Sequence, residues 1–175
     1  VLATGFRADR FIRPTRVIGR DGVPLDDCWA VRPSAYLAVA LPDFPNFFML
    51  NGPTGPVGNF SLIDIAEAQW GYIDQLLEEL RAGRCRSVSP TRAAMTDYDQ
   101  RRVVAARKTI FATGCRSWYL DGEGVPATWP WGYSTFLRRW SSPISQRSTA
   151  GRSQGGGPEN SRQFHEKPAS AGVAG

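Results

Sequence analysis

The sequence has no long apolar run, and this excludes one broad class of protein. Its longest apolar stretches, such as residues 35–41, are far shorter than the roughly 20 residues that a membrane-spanning helix needs. The first residues, from Val1 onward, lack the charged lead and long apolar region of a secretory signal. The sequence therefore predicts neither a membrane span nor a membrane partner.

Cysteine and histidine are also scarce. The three cysteines, Cys28, Cys85 and Cys115, are an odd number, lie far apart and form no CxxC pair, which argues against a zinc or thiol-redox site. The single histidine, His165, falls near the end of the chain. We therefore expect no metal site and no catalytic side chain, and free thiols favour a reducing compartment, the cytoplasm.

Basic residues are in modest excess, with a net charge of +5, but they form no long basic stripe. Part of the excess comes from a segment after residue 140 that is rich in Ser, Gly, Arg and Pro. We expect no nucleic-acid partner. That segment has too few large apolar residues to offset chain entropy, so residues 141–175 are predicted to be a disordered tail after one folded unit at 1–140.

The folded part is predicted to be α/β. Residues 36–40 and 47–50 are apolar runs that predict strands, the second covered on both faces. Residues 62–80 have apolar side chains three and four apart, which predicts an amphipathic helix capped by Asn59 or Ser61 and stopped at Gly83. A second helix is predicted at 91–108, with Met95, Tyr98 and Val103 pointing inward. Residues 128–131 form an aromatic cluster.

The loop between the second strand and the first helix is the feature most informative about function. It carries glycines at 52, 55 and 58, a spacing that is neither a phosphate loop nor the GxGxxG dinucleotide fingerprint. Glycines let a ligand approach the backbone, and free N–H groups at a helix start favour an anion or the electron-rich edge of a flavin. The alternative is a plain connection whose glycines only satisfy its geometry.

Four segments, in order along the chain, carry a family resemblance. They are residues 1–6, which contain Ala-Thr-Gly; 19–22, followed by Pro24-Leu25 and Trp29; 44–56, which contain Gly-Pro-Thr-Gly-Pro; and 115–119, with Trp129-Pro130 further on. Together they resemble the flavin monooxygenases of the Baeyer–Villiger type. The resemblance implies a flavoprotein with two dinucleotide-binding domains, of which this chain is the C-terminal piece of the FAD-binding domain, incomplete.

The same resemblance implies cofactors, substrates and a reaction. FAD and NADPH would be the cofactors, and an oxygen atom from dioxygen would be inserted next to the carbonyl of a small-molecule ketone. Two positions, Val57 and Phe60, match residues that face the substrate pocket. Ten positions match residues that contact the cofactors: Thr4, Gly5, Asn51, Gly52, Pro53, Thr54, Gly55, Pro56, Asn59 and Trp118.

The sequence also departs from the family pattern. It contains no GxGxxG, and the family's signature motif with its histidine and tryptophan is absent. The chain is therefore expected to be inactive alone. Two alternatives stay open: a fragment of a monooxygenase that oxidises sulfur or nitrogen, or a non-catalytic binding module that uses the exposed apolar face of an incomplete domain.

Overall fold

The computed structural model describes residues 10–56, 60–114, 119–141 and 161–164. Helices account for most of the regular structure in these segments, and none of them is both long and apolar enough to cross a membrane. The elements in chain order are a 3₁₀ turn (Arg20–Gly22), α1 (Leu25–Cys28), α2 (Leu62–Arg81), β1 (Ser87–Pro90), α3 (Arg92–Ala106), a second 3₁₀ turn (Ile110–Ala112), α4 (Tyr133–Ser141) and β2 (Ser161–Phe164).

Helix α2 confirms the helix predicted at 62–80. Ser61 is its N-cap, and the side-chain oxygen accepts a hydrogen bond from the backbone N–H of Asp64 at 3.3 Å. Gly83 follows the last turn with a φ of 65°, which a residue without a Cβ adopts at little cost. Both ends of α2 are therefore fixed by local chemistry, and its inner face buries Ile65, Gln69, Tyr72, Ile73 and Leu76.

Helix α3 confirms the second predicted helix, but its inward face differs from the prediction. Tyr98 is buried as expected, whereas Met95 and Val103 are only partly buried. The position that replaces them is Arg102, whose side chain is 0% exposed. Apolar periodicity could not identify this face, because one of its members is a charged residue that finds partners only in the folded chain. The buried positions recur every four residues: Ala94, Tyr98, Arg102 and Ala106.

The strand predicted at 36–40 is wrong, because these residues form a tight turn. Leu37 and Ala38 have φ values of 53° and 58°, in the left-handed region that residues with a side chain rarely adopt. The N–H of Tyr36 donates to the C=O of Ala40 at 2.8 Å and closes the turn. The apolar run correctly predicted burial, since all five residues are buried, but burial does not fix the backbone angles.

The strand predicted at 47–50 is also wrong in its extent and its coverage. It is reduced to a single bridge between Phe48 and Ala40, with the N–H of Met49 donating to the C=O of Val39 at 2.8 Å. Leu50 remains 48% exposed, so the run is not covered on both faces. The N–H of Phe47 also donates to the C=O of Phe44 at 3.3 Å, so these hydrogen bonds come from neighbouring turns rather than from a second strand.

The two strands of the described sheet are β1 and β2, which pair in parallel with Ser87 opposite Ser161. Strand β2 lies inside the tail that composition predicts to be disordered, so the structure differs from that expectation at these four residues. The reason is that a strand carries backbone N–H and C=O groups along both edges. Asn46 bonds those of Val88, and an extended segment can pair with the groups on the other edge of β1. The rest of residues 142–175 lie outside the described part of the chain.

An aromatic cluster joins α4 to the core. Trp129, from the predicted cluster at 128–131, packs edge-on against Trp140 with ring centroids 5.3 Å apart. Phe136 stacks on Trp140 at 4.2 Å, and all three rings are buried. The cluster at 128–131 is therefore confirmed, whereas the sequence did not predict α4. This core fixes the residues after 128 against α2, and so places them beside the glycine-rich loop.

Candidate functional site

The glycine-rich loop borders a cavity of about 780 Å³. This volume lies within the range of small-molecule sites in proteins. Aromatic and charged residues from three other segments of the chain also line the cavity, including Trp29, Arg32 and Tyr119. The structure thus brings five of the predicted cofactor-contact residues to one concave surface: Asn51, Gly52, Thr54, Gly55 and Pro56.

The other side of the loop packs against the buried turn at 36–40. A Cβ on Gly52 would collide with the backbone oxygen of Ala38. A Cβ on Gly55 would lie 3.1 Å from the oxygen of Gly52 and 3.3 Å from the Cβ of Ala38. The glycines therefore satisfy packing geometry, as the plain interpretation requires, and the same packing holds the loop at the wall of the cavity.

The expectation of free backbone N–H groups is wrong at three loop positions. The N–H of Asn51 donates to Gln69 Oε1 at 2.7 Å, and the N–H of Gly52 donates to the C=O of Ala38 at 3.2 Å. The N–H of Gly55 donates to the C=O of Gly52 at 3.2 Å. Buried N–H groups are almost always bonded, so a loop that packs on a core uses them internally. These three amides are not available to a ligand.

Asn51 provides a polar contact of a different kind. Its Nδ2 donates to the backbone C=O of Leu62, the first residue of α2, at 3.2 Å. Its Oδ1 is buried and has no hydrogen-bond partner among the described residues. Buried polar atoms are rarely left unpaired, so an acceptor of this kind beside a cavity is a candidate contact for the N–H of a ligand.

A charged network that the sequence did not predict forms part of the cavity wall. Arg32 lines the cavity, and its guanidinium lies 2.6 Å from Asp99, 3.1 Å from Glu123 and 3.5 Å from Asp121. Burial opposes the charge of Arg32, but the hydrogen bond to Asp99 and the three carboxylate charges outweigh it and raise the pKa of the guanidinium. Arg32 is therefore a fixed, permanently protonated part of the wall.

Arg102 extends this network into the core. Its Nε lies 2.9 Å from Asp99, and its Nη1 donates to the C=O of Pro126 at 3.0 Å. The three-residue spacing of Asp99 and Arg102 on one helix is visible in the sequence. Their bonds to Arg32 and Pro126 are not, because those partners lie far away along the chain. The network ties α3 to the turn at 119–126 and to the segment that carries Arg32.

The rest of the cavity wall contains two aromatic rings and an ion pair. Phe11 and Trp29 meet edge-on with ring centroids 6.1 Å apart. Arg13 and Asp26, which also line the cavity, form an exposed ion pair at 2.9 Å. Flat apolar walls with polar groups at the edge suit a planar ligand that carries polar atoms on its rim.

Phe60, predicted to face the substrate, does not line this cavity. It borders a second, smaller cavity of about 300 Å³ together with Trp129 and Trp131. The two cavities share a wall, since the C=O of Gly55 accepts hydrogen bonds from the N–H of Trp129 at 3.2 Å and from the hydroxyl of Thr128 at 3.5 Å. Phe60 and the cofactor-contact loop therefore line different cavities, which these hydrogen bonds connect.

The other predicted positions divide into two groups. Pro53 is buried within the loop and does not line the cavity. The remaining five predicted positions lie outside the described residues: Thr4, Gly5, Val57, Asn59 and Trp118. Cys115 and His165 also lie outside the described residues. In the part of the chain that the structure describes, no cluster of three or more His, Cys, Asp or Glu residues could hold a metal ion.

Sequence comparison finds relatives among monooxygenases, while no protein-family model matches the chain. An uncharacterized monooxygenase of Mycobacterium tuberculosis is 45% identical over 130 residues, which cover 74% of this chain and 26% of that protein. The FAD-binding monooxygenase ktnD of Aspergillus niger is 36% identical over 152 residues, 83% of this chain and 24% of that protein. The chain thus spans about a quarter of the length of these relatives.

Solved structures of the same kind share the fold. Cyclohexanone monooxygenase from Rhodococcus sp. Phi1, bound to NADP⁺, superposes with a TM-score of 0.61 at 28% identity, over 71% of this chain and 24% of that one. An oxidized steroid monooxygenase bound to NADP gives a TM-score of 0.64 at 26% identity, over 71% and 23%. By sequence and by fold, the chain is therefore similar to about one quarter of a flavoprotein monooxygenase, and the described residues have the fold of part of such a domain.

Proposed function

We propose that this chain is part of an FAD- and NADPH-dependent monooxygenase, and that the cavity beside residues 51–56 receives the isoalloxazine ring. The observation that carries the proposal is the cavity itself. It places five of the predicted cofactor-contact residues on one concave surface. The comparisons support the same cofactors, since the relatives include FAD-binding monooxygenases and the solved neighbours include NADP complexes.

The residues at the cavity suit a flavin. Asn51 Oδ1 is an unpaired buried acceptor for a ring N–H, and Trp29 offers an apolar face to a planar ring. Arg32 is held in the wall by three carboxylates that neutralise its charge, so its proposed role is to fix the shape of the cavity around the ring. The bound flavin would supply the redox chemistry with dioxygen, while these side chains bind and orient it.

Binding of flavin to this chain alone is expected to depend on the ring and not on the adenosine diphosphate. The sequence has no GxGxxG to seat a diphosphate. In a fluorescence titration, we expect riboflavin and FAD to be quenched weakly and saturably, with dissociation constants within about twofold of each other. If the chain quenched the fluorescence of neither riboflavin nor FAD, the flavin assignment would be removed. A much lower dissociation constant for FAD than for riboflavin would contradict the fragment assignment.

Two variants make this titration specific to the cavity. Gly55→Val should abolish quenching, because the larger side chain meets Gly52 and Ala38. Leu62→Glu tests the same surface without disturbing the core, since Leu62 is 52% exposed, lines the cavity and begins α2, where an acidic residue favours the helix. Gly71→Ala, on the exposed side of α2, is the matched control and should bind riboflavin like the unaltered chain.

The reaction we propose is insertion of one oxygen atom from dioxygen next to a ketone carbonyl, with NADPH as reductant. Support comes from the solved neighbours, which include cyclohexanone and steroid monooxygenases. Val57 and Phe60 are the proposed substrate-side residues and Trp118 a nicotinamide-side residue. Thr4, Gly5 and Asn59 are proposed as further flavin contacts. We also propose a cytoplasmic setting, because Cys28 and Cys85 are free thiols.

A chimera tests this reaction in a complete enzyme. In the Mycobacterium tuberculosis relative, the matching 130 residues are replaced by those of this chain, which are 45% identical. With NADPH, oxygen and an equimolar mixture of a cyclic ketone and a thioether, we expect lactone as the major product by gas chromatography. The isolated chain should form none. A chimera that holds flavin yet yields only sulfoxide would favour heteroatom oxidation instead.

A further inference from the structure

Helix α2 exposes large apolar side chains to solvent. Ile63 is 71% exposed and Trp70 is 52% exposed, and residues seven apart lie on the same side of a helix. Leu62, at the first position of the helix, is 52% exposed beside them. Soluble monomers rarely expose large contiguous apolar patches unless they bind something there.

Leu50 extends this surface beyond the helix. The next residue, Asn51, donates from Nδ2 to the C=O of Leu62 at 3.2 Å and from its N–H to Gln69 Oε1 at 2.7 Å. These two bonds hold the chain at residue 51 along α2, and Leu50 remains 48% exposed. We call the surface formed by Leu50, Leu62, Ile63 and Trp70 the α2 face.

The α2 face is continuous with the candidate flavin site, because Leu62 belongs to both. Two exposed carboxylates, Asp64 and Glu67, stand beside it on the same helix. An apolar centre with charges at its margin is the usual arrangement of a protein–protein interface. A protein that covers this face would also wall the cavity where α2 begins.

We infer that the α2 face is a docking surface for the portion of a monooxygenase fold that lies outside the matched quarter, and that docking completes the cavity. The inference rests on the proposed function. The relatives are about four times as long as their match to this chain, which covers 26% and 24% of two of them. The described residues contribute a sheet of only two strands of four residues each, so the other layers of a dinucleotide-binding domain must come from outside the described residues.

The test uses the Mycobacterium tuberculosis relative with its matching 130 residues deleted as the binding partner. Titrated with the full chain in an analytical ultracentrifuge, it should form a one-to-one complex. Ile63→Glu and Trp70→Glu should each weaken the complex at least about 30-fold, as expected for central interface residues. Val104→Glu is the matched control, because Val104 is 60% exposed but lies on α3, and it should change affinity less than about twofold.

The chimera gives a second readout in case the deleted relative does not fold. There, Ile63→Glu should release flavin on gel filtration, whereas Val104→Glu should retain it. Equal effects of the two variants, or no complex with a folded partner, would overturn the inference. If the chain associates with itself and Trp70→Glu abolishes that association, the α2 face would instead be assigned to binding a second copy of the chain. Riboflavin quenching needs only the cavity of this chain. If the chain did not quench riboflavin, the proposed function would be contradicted. If it quenched riboflavin but formed no complex, only the docking inference would be removed.

Discussion

Replacement of Asp99 by asparagine is expected to lower the free energy of unfolding by about 3–5 kcal/mol, the usual cost of removing one partner from a buried ion pair. Asp99 is the carboxylate that bridges Arg32, at 2.6 Å, and Arg102, at 2.9 Å. Arg102 is 0% exposed, so its charge would lose its only described ion-pair partner in the core. Urea unfolding followed by tryptophan fluorescence measures the change.

The same substitution two residues earlier is the matched control. Asp97 pairs with Arg101 on the exposed side of α3 at 2.6 Å, with 59% and 36% of the two side chains accessible. Exposed pairs at this spacing contribute about 0.3–0.5 kcal/mol, so Asp97→Asn should be nearly silent. If Asp99→Asn lowered the free energy of unfolding no more than Asp97→Asn does, the charged network would not be what holds the cavity wall.

A second variant separates the charge from the contact. In Asp99→Asn combined with Arg102→Met, no unpaired guanidinium remains in the core, and an apolar chain of similar length fills its place. The double variant should therefore regain part of the stability that Asp99→Asn loses. Since Arg32 keeps Asp121 and Glu123 as partners, the cavity wall should persist in the double variant.

Gly52→Ala is expected to destabilise the chain by about 2–3 kcal/mol, at the upper end of the cost of overpacking a core. The added Cβ would collide with the backbone oxygen of Ala38 and lie 3.2 Å from the Cβ of Met49. A backbone atom cannot rotate out of the way, so the loop or the turn at 36–40 must move. Thermal and urea unfolding would report the loss, and riboflavin quenching should fall because the loop forms the cavity wall.

Gly71→Ala provides the control with the opposite sign. Gly71 lies in the exposed interior of α2, where an added Cβ meets nothing within 4 Å. Alanine is favoured over glycine in a helix by about 0.5–1 kcal/mol, so this variant should be more stable than the natural chain. A neutral or stabilising Gly52→Ala would mean that the loop does not pack on the turn.

Local signals made some elements predictable. The start of α2 follows from the Ser61 cap and its end from Gly83, and both are properties of a few consecutive residues. The loop at 51–56 was predictable for the same reason, since prolines and glycines exclude a helix or a central strand. Its position beside a cavity followed only from the family resemblance.

Other features depend on partners that are distant in the sequence. Arg32 meets Asp99 and Asp121 across 67 and 89 positions, and nothing in the neighbourhood of Arg32 selects them. The described fold places Phe60 in a separate cavity with Trp129 and Trp131. Neither outcome follows from spacing or periodicity.

The sequence by itself determined helices α2 and α3, the aromatic cluster and the glycine-rich loop, because helix caps, apolar periodicity and the lack of an N–H group in proline act over a few residues. Tertiary structure alone decided that the apolar residues 36–40 turn back instead of extending, with Leu37 and Ala38 at positive φ. It also decided that Arg102 is buried and that the loop amides bond within the chain. The physical reason is that buried polar groups must find partners, and only the folded chain determines which partners are within reach.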